Sequence, residues 1–210
     1  AYRRQRQMCI RDRYDGYRFT PEKGFTPMFN PFSVLNALAK SRFGDYWFAS
    51  GTPTFLVEIL KKTNFDLREL DGIEVSSASL SDDRANISNP VPMIYQSGYL
   101  TIKSFDQRFR TYTLGFPNEE VKYGFLNFVA PFYTPVASTD TTFYIGKFVH
   151  ELETGETEAF LTRLSCFFAD FPYELNEKTE RHYQVVFYLV FKLMGQFTDV
   201  EVRSNRGRAD

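Results

Sequence analysis

The sequence predicts an α+β fold that is mainly helical. Three observations carry this: two helix starts of the same design, one pair of alternating segments around a polar turn, and a series of amphipathic stretches between Pro117 and Gly195. The helix starts place a capping side chain before a proline, the alternating segments have the period of strands, and the long stretches have helical period.

The first helix is predicted in NPFSVLNALAKSRFG, with Asn30 as N-cap, Pro31 at the first helical position and Gly44 after its end. TPTFLVEILKKTN repeats the device with Thr52 and Pro53, and Phe55, Leu56, Ile59 and Leu60 form its apolar face. The polar, turn-rich run from Asp66 to Pro90 reads as a connection, with short strand candidates around Ile73 to Val75. A short helix from Pro92 to Gln96 ends at Gly98. YLTIKSF and FRTYTLGF then alternate around the turn DQR, a hairpin pattern. Helix followed by hairpin is a winged-helix-like arrangement, and Lys103, Arg108 and Arg110 make its hairpin a solvated surface or a DNA contact.

From Pro117 the chain turns helical. PNEEVKYGFLNFVAPFY starts with acidic residues, which the helix dipole favours. FYIGKFVHELETG and GETEAFLTRLSCFFADFP follow, separated by Gly155, and the longest helix runs from a cap at Asn176 to Gly195. TDVEVRS alternates like a strand and NRG is a turn.

Composition bounds the function. The chain has 210 residues and is 43 % hydrophobic, enough for a substantial core. A net charge of −1 excludes a polycation that coats nucleic acid, while leaving room for a local basic surface. No apolar run is long enough for a transmembrane span and no secretory signal is evident, so a cytoplasmic protein without a membrane partner is expected. Two cysteines make no disulfide framework, and Cys166, within LSCFFA, is expected to be a buried small hydrophobe. The arginine-rich opening AYRRQRQMCIRDR suits a basic arm or a disordered tail, and it resembles translated sequencing-adapter read-through at the edge of a gene fragment. Residues 1–13 are therefore expected to be disordered and are set aside from the fold.

Candidate chemistry lies at the C-terminal end. The longest helix carries an apolar stripe of Tyr183, Val186, Phe187, Val190, Phe191 and Met194. Three residues before Tyr183 stands Glu180, a carboxylate either aimed with the stripe or resting on the helix dipole. A strand through Val200 and Val202 and the NRG turn then bring Asp210 to the start of a partner strand. Paired carboxylates bind a divalent metal, and a metal can activate water against a phosphodiester. Glu180 and Asp210 are thus the candidate catalytic and metal-binding pair. Glu201 faces the other side of its strand and is an outside candidate.

From Tyr14 to Asp210 the chain resembles the bacterial proteins that join an AAA-like ATPase module to a C-terminal PD-(D/E)XK nuclease-like domain. The landmarks are YDGYRF (14–19), NPFSVLNAL (30–38), YW with SGTPTFLVEIL (46–60), IYQSGYLTIK (94–103), LGFPNEEV (114–121), ERHYQVVFYLVFKLMG (180–195) and EVRSNRGRAD (201–210), in that order. The resemblance implies a C-terminal lid or winged-helix-like part of the ATPase module over 14–115, then the helices and first strands of the nuclease-like domain over 116–210. No G-x-x-x-x-G-K-[ST] phosphate loop occurs, and the family's Glu-x-Lys strand, which follows GRAD, does not either. The chain is therefore expected to be a middle piece whose ATP site lies elsewhere in a longer protein. By resemblance, Asp210 matches the metal-binding Asp for Mg²⁺ and Glu180 the supporting helix acid. Arg206 and Arg208 meet DNA phosphate or form a solvated turn. The implied parent is an ATPase-linked, metal-dependent nuclease acting on DNA; the alternative is a non-catalytic module that binds nucleic acid or protein.

Overall fold

The computed structural model describes residues 10–21, 25–48, 54–63, 65–80, 89–134, 138–169, 180–195, 203–204 and 207–208. The chain is α+β and mainly helical, and it divides into two compact units, Ala1–Phe125 and Leu126–Asp210. No helix among the described residues is long and apolar enough to cross a membrane.

In the first unit, one helical turn at 10–14 (α1) precedes α2 (Pro31–Lys40). Asn30 caps α2 as expected: its side chain accepts from the Ser33 N–H, and Pro31 needs no partner at the first position. The end differs from expectation, because Ser41 takes the left-handed conformation at φ 50° and Gly44 lies beyond the stop. Gly44 instead hydrogen-bonds through both its N–H and its C=O to the Tyr14 hydroxyl. Residues 10–13, set aside at the sequence level, are helical, and Ile10 packs on the Tyr14, Ala37 and Tyr46 cluster. Residues 1–9 lie outside the described residues.

α3 (Thr54–Lys62) buries Leu56, Val57 and Leu60 and leaves Phe55 exposed, so its inner face is turned from the predicted one. Thr52 and Pro53 lie outside the described residues. A 3₁₀ turn (Leu67–Glu69), capped by Asp66, leads into β1 (Ile73–Ser76) and a short α4 (Ser77–Leu80). The strand candidate around Ile73 to Val75, in a segment otherwise read as a connection, is thus the edge strand β1. α5 (Val91–Gln96) is followed by β2 (Thr101–Asp106) and β3 (Thr111–Gly115), which form the predicted hairpin. The sheet is antiparallel in the order β1-β3-β2, with Val75 opposite Tyr112, Phe105 opposite Tyr112, and a bulge between Ile102 and Ser104. Val75, Ile102 and Leu114 are buried, while Glu74 and Ser104 are exposed, as one covered sheet face requires.

The YDGYRF segment stitches this unit together. Tyr14 C=O accepts from Asn30 N–H, Tyr17 pairs with Met28, and the Arg18 N–H donates to Thr101 Oγ1 at 2.6 Å. Between these bonds Gly16 sits at φ +111°, where a Cβ would lie 2.0 Å from the Pro117 carbonyl oxygen. Both the backbone conformation and the close approach demand glycine.

α6 (Glu119–Tyr133) contains the division between the units. In the second unit, α7 (Ser138–Glu153) packs on α8 (Thr157–Ala169) and on α9 (Glu180–Met194). Phe148 is fully buried and meets Phe160 and Phe167 edge-on at 5.7 and 5.9 Å between ring centroids. Glu151, also buried, pairs with Arg163 at 2.6 Å and ties α7 to α8. Cys166 is exposed on α8, against the expectation of a buried thiol, because Phe160, Leu164 and Phe167 occupy the inner face. The predicted cap Asn176 lies outside the described residues. The chain ends in a two-stranded antiparallel pair, β4 (Arg203–Ser204) with β5 (Gly207–Arg208).

Gly16→Ala is expected to cost about 2–5 kcal/mol, the sum of a disallowed backbone and an overpacked contact. Urea unfolding of the variant checks this, and a loss below about 1 kcal/mol would remove the close approach to Pro117 from the account.

Candidate functional site

Of the four residues singled out by sequence, the structure describes two. Glu180 is the first residue of α9 and is exposed, and its Oε1 accepts a hydrogen bond from Gln184 Nε2 one turn later, at 3.0 Å. Arg208 lies in β5, paired with Arg203 across the β4–β5 ladder. Asp210 and Arg206 lie outside the described residues, as do Glu201, Val200 and Val202.

The face on which Glu180 was placed is turned. The buried residues of α9 are Val185, Val186, Leu189, Val190, Leu193 and Met194, whereas Phe187 and Phe191 are exposed. These two rings stack on each other, and Phe187 stacks on Phe168 of α8 at 4.5 Å. The line from Glu180 through Tyr183 to Phe187 and Phe191 is therefore an outer aromatic ladder beside the core stripe, and Glu180 heads it in solvent. Large aromatic side chains at helical spacing satisfied the periodicity without being the core.

One exposed carboxylate does not make a divalent-cation site, and no group of three or more His, Cys, Asp or Glu side chains able to hold a metal occurs among the described residues. The described residues thus do not supply the donor set for Mg²⁺.

A different acid occupies the position argued for Glu180. Glu120, in the first turn of α6, is fully buried in the first unit. Its Oε1 accepts from Ser33 Oγ at 3.0 Å and from the Trp47 N–H at 3.0 Å, with the Tyr46 N–H also directed at it. Its Oε2 has no hydrogen-bond partner. Burial pushes the Glu120 carboxyl above the ordinary carboxylate range; the donors from Trp47 and Ser33 oppose the shift, and the nearby Asp45 adds to it. Asp45 is itself paired with Arg13 at 2.9 Å, and the phenols of Tyr14 and Tyr17 feel the Glu120 charge. Asn118 caps α6 by accepting from Val121 N–H, and its Nδ2, like the Tyr17 hydroxyl beside Asn30, is buried without a well-formed hydrogen bond. Burial drives the Tyr17 phenol upward as well.

Sequence reasoning missed Glu120, although the signal was present. Glu120 and Val121 stand one helical turn before Gly124 and Phe125, and Val129 and Ala130 follow on the same buried stripe. An acid opening an apolar stripe was the argument applied to α9; it holds in α6. What the acid does there is join three elements: the start of α2, the turn at 46–48 and α6. Around that junction Trp47, Phe48, Tyr99 and Phe125 form a cluster of edge-on and tilted rings, with Trp47 edge-on to Tyr99 at 4.9 Å.

A second feature is the hairpin tip. Arg108 lies over the exposed Phe109 ring at 5.0 Å, and Arg110 holds φ 53° with its C=O accepting from Ser77. Phe105, Phe109, Asp106 and Thr113 line an open recess beside it. Lys103, the third basic residue of the hairpin, lies at the other end of the sheet, where its Cε would be 3.1 Å from a Cβ at Gly115.

No protein-family model matches the chain, and no solved structure does. A protein of Azotobacter chroococcum mcd 1, described as an uncharacterized protein in the vnfD 5′ region, is 30 % identical over 209 residues, covering 96 % of this chain. The aligned part is 39 % of that relative, so the chain spans about two fifths of the length of the curated relative it matches.

The sign of the Glu120 effect follows from linkage. A raised pKa means the folded state holds the proton more tightly, so this contribution is present below the ordinary carboxylate range and is lost as pH rises through the raised value. Glu120→Gln, neutral throughout, is expected to lose less stability than wild type as pH rises above the ordinary carboxylate range, with a relative slope of at most about 1.4 kcal/mol per pH unit. Glu120→Ala, which strands Ser33 and Trp47 donors, is expected to cost about 1–3 kcal/mol at any pH. Urea unfolding across a pH series checks both, and parallel curves for wild type and Gln would contradict the raised proton affinity of Glu120.

Proposed function

We propose that this chain is part of an ATPase-linked, metal-dependent nuclease that hydrolyses phosphodiester bonds, with DNA as its substrate, Mg²⁺ as its metal and ATP bound elsewhere in the parent. The observation that carries the reading is the order of elements at the end of the chain: a helix opening on Glu180, then the antiparallel pair β4–β5, with Asp210 two residues past β5 in the sequence. That order suits a nuclease-like domain in which an acid from a helix and an acid from a strand serve one site, and it adds to the seven sequence landmarks. In this reading Asp210 is the principal metal ligand, Glu180 supports it and must exchange its Gln184 contact for the site, and Arg206 and Arg208 contact the phosphate backbone.

The second reading, a non-catalytic module that binds nucleic acid or protein, is favoured by the hairpin tip. There Arg108, Phe109 and Arg110 combine cations with an exposed ring, a pairing suited to phosphate contact and base stacking.

Cleavage of plasmid DNA by the full-length gene product, with and without Mg²⁺, separates the two. The nuclease reading expects Mg²⁺-dependent nicking that Asp210→Ala reduces by at least about 10²-fold and Glu180→Gln reduces less. Salt-sensitive binding without cleavage, weakened by Arg108→Ala and indifferent to Asp210→Ala, would replace it by the binding module.

A further inference from the structure

We infer that the β2–β3 hairpin tip takes up an unpaired base of a single-stranded nucleic acid, with Phe109 stacked on the base and Arg108 and Arg110 on the strand's phosphates. The inference rests on the reading of the tip as a nucleic-acid contact and uses no part of the Glu180–Asp210 site.

Phe109 is 65 % exposed in the turn between β2 and β3. The Arg108 guanidinium lies over its ring at 5.0 Å, and the same ring lines an open recess of about 720 Å³, within the range of small-molecule sites. An exposed ring stacks on a base of any kind, and an arginine beside it adds cation–π attraction. The tip is also fixed in place. Asp106 Oδ1 accepts from the N–H groups of Arg108 and Phe109, at 2.7 and 3.1 Å. Arg110 holds a left-handed φ of 53°, and its C=O accepts from the N–H and the hydroxyl of Ser77, at 3.2 and 3.0 Å. A tip held this way has little freedom left to lose on binding.

The recess decides which part of a nucleotide enters. Its polar lining is Glu74, Ser104, Asp106, Thr111 and Thr113. Glu74 and Asp106 are exposed carboxylates, which repel a phosphate and accept from a base amino group such as cytosine N4. The phosphates are left to Arg108 and Arg110, both exposed. The sugar of a nucleotide holds base and phosphate apart, so one strand can meet the acids and the arginines together. A duplex keeps its bases stacked inward and can lay none of them on Phe109. An acidic peptide is the competing partner for the arginines. It would bring its carboxylates against Glu74 and Asp106.

Fluorescence anisotropy tests this with the 210-residue chain as wild type, Phe109→Ala, Arg108→Ala and the double variant Glu74→Gln, Asp106→Asn. The probes are labelled oligo-dC, oligo-dT, oligo-rC and a duplex of the same length. All four substituted residues are exposed, and melting curves check that each variant keeps the wild-type fold. Oligo-dC is expected to bind at least about fivefold more tightly than oligo-dT or the duplex. Phe109→Ala is expected to weaken oligo-dC by at least about fivefold at an unchanged salt slope, and Arg108→Ala to lower that slope by about one. The acid double variant is expected to erase the preference for oligo-dC over oligo-dT. Oligo-rC beside oligo-dC tells which sugar the tip takes, and a Phe109-dependent preference for either supports the inference. Equal binding of duplex and single strands, or indifference to Phe109→Ala, would overturn the inference and leave the tip a plain phosphate contact. Failure to bind any probe would remove both the inference and the reading on which it rests.

Discussion

The first unit depends on one buried carboxyl. Glu120 is held by Ser33 and Trp47 through a single oxygen, and its other oxygen meets no donor. Burial makes ionising the group costly, and the donors that converge on the satisfied oxygen offset part of that cost. That constraint fixes where the start of α2, the turn at 46–48 and the start of α6 stand relative to one another. The aromatic cluster of Trp47, Phe48, Tyr99 and Phe125 then fills the space beside the junction, and the Tyr14–Gly44 and Arg18–Thr101 bonds close the loops that connect it.

Local rules were legible in the sequence where the chemistry is local. The Asn30–Pro31 start of α2 and the β2–β3 hairpin follow from caps and alternation, and both stand within a few residues of their predicted places. The short strand candidate around Ile73 to Val75 also stands, as β1, which extends to Ser76 and pairs with β3. The missed features are tertiary. The stripe of α9 was set one position off because Phe187 and Phe191 are apolar yet stack outside the core on Phe168. Cys166 follows the same pattern: its neighbours Leu164 and Phe167 take the inner face, and the thiol is left outside.

A buried acid was legible in kind and not in place. An acid heading an apolar helix stripe is a physical signal, and the chain contains one, but in α6 rather than α9. At Glu120 the carboxyl is walled in by backbone N–H groups and aromatic rings, which makes it a structural joint with a perturbed proton affinity. At Glu180 the carboxylate is in solvent, free to exchange Gln184 for another partner. The two acids therefore have separate roles, one in assembling the first unit and one, in the proposed function, in supporting a metal held chiefly by Asp210.

The functional account turns on whether Glu180 and Asp210 share a cation, and paramagnetic broadening by Mn²⁺ in the full-length gene product reads this directly. Substoichiometric Mn²⁺ is expected to broaden the amide signals of both Glu180 and Asp210, and Asp210→Asn to abolish the effect at both. Broadening at one residue without the other, or broadening at Glu180 that survives Asp210→Asn, would contradict it.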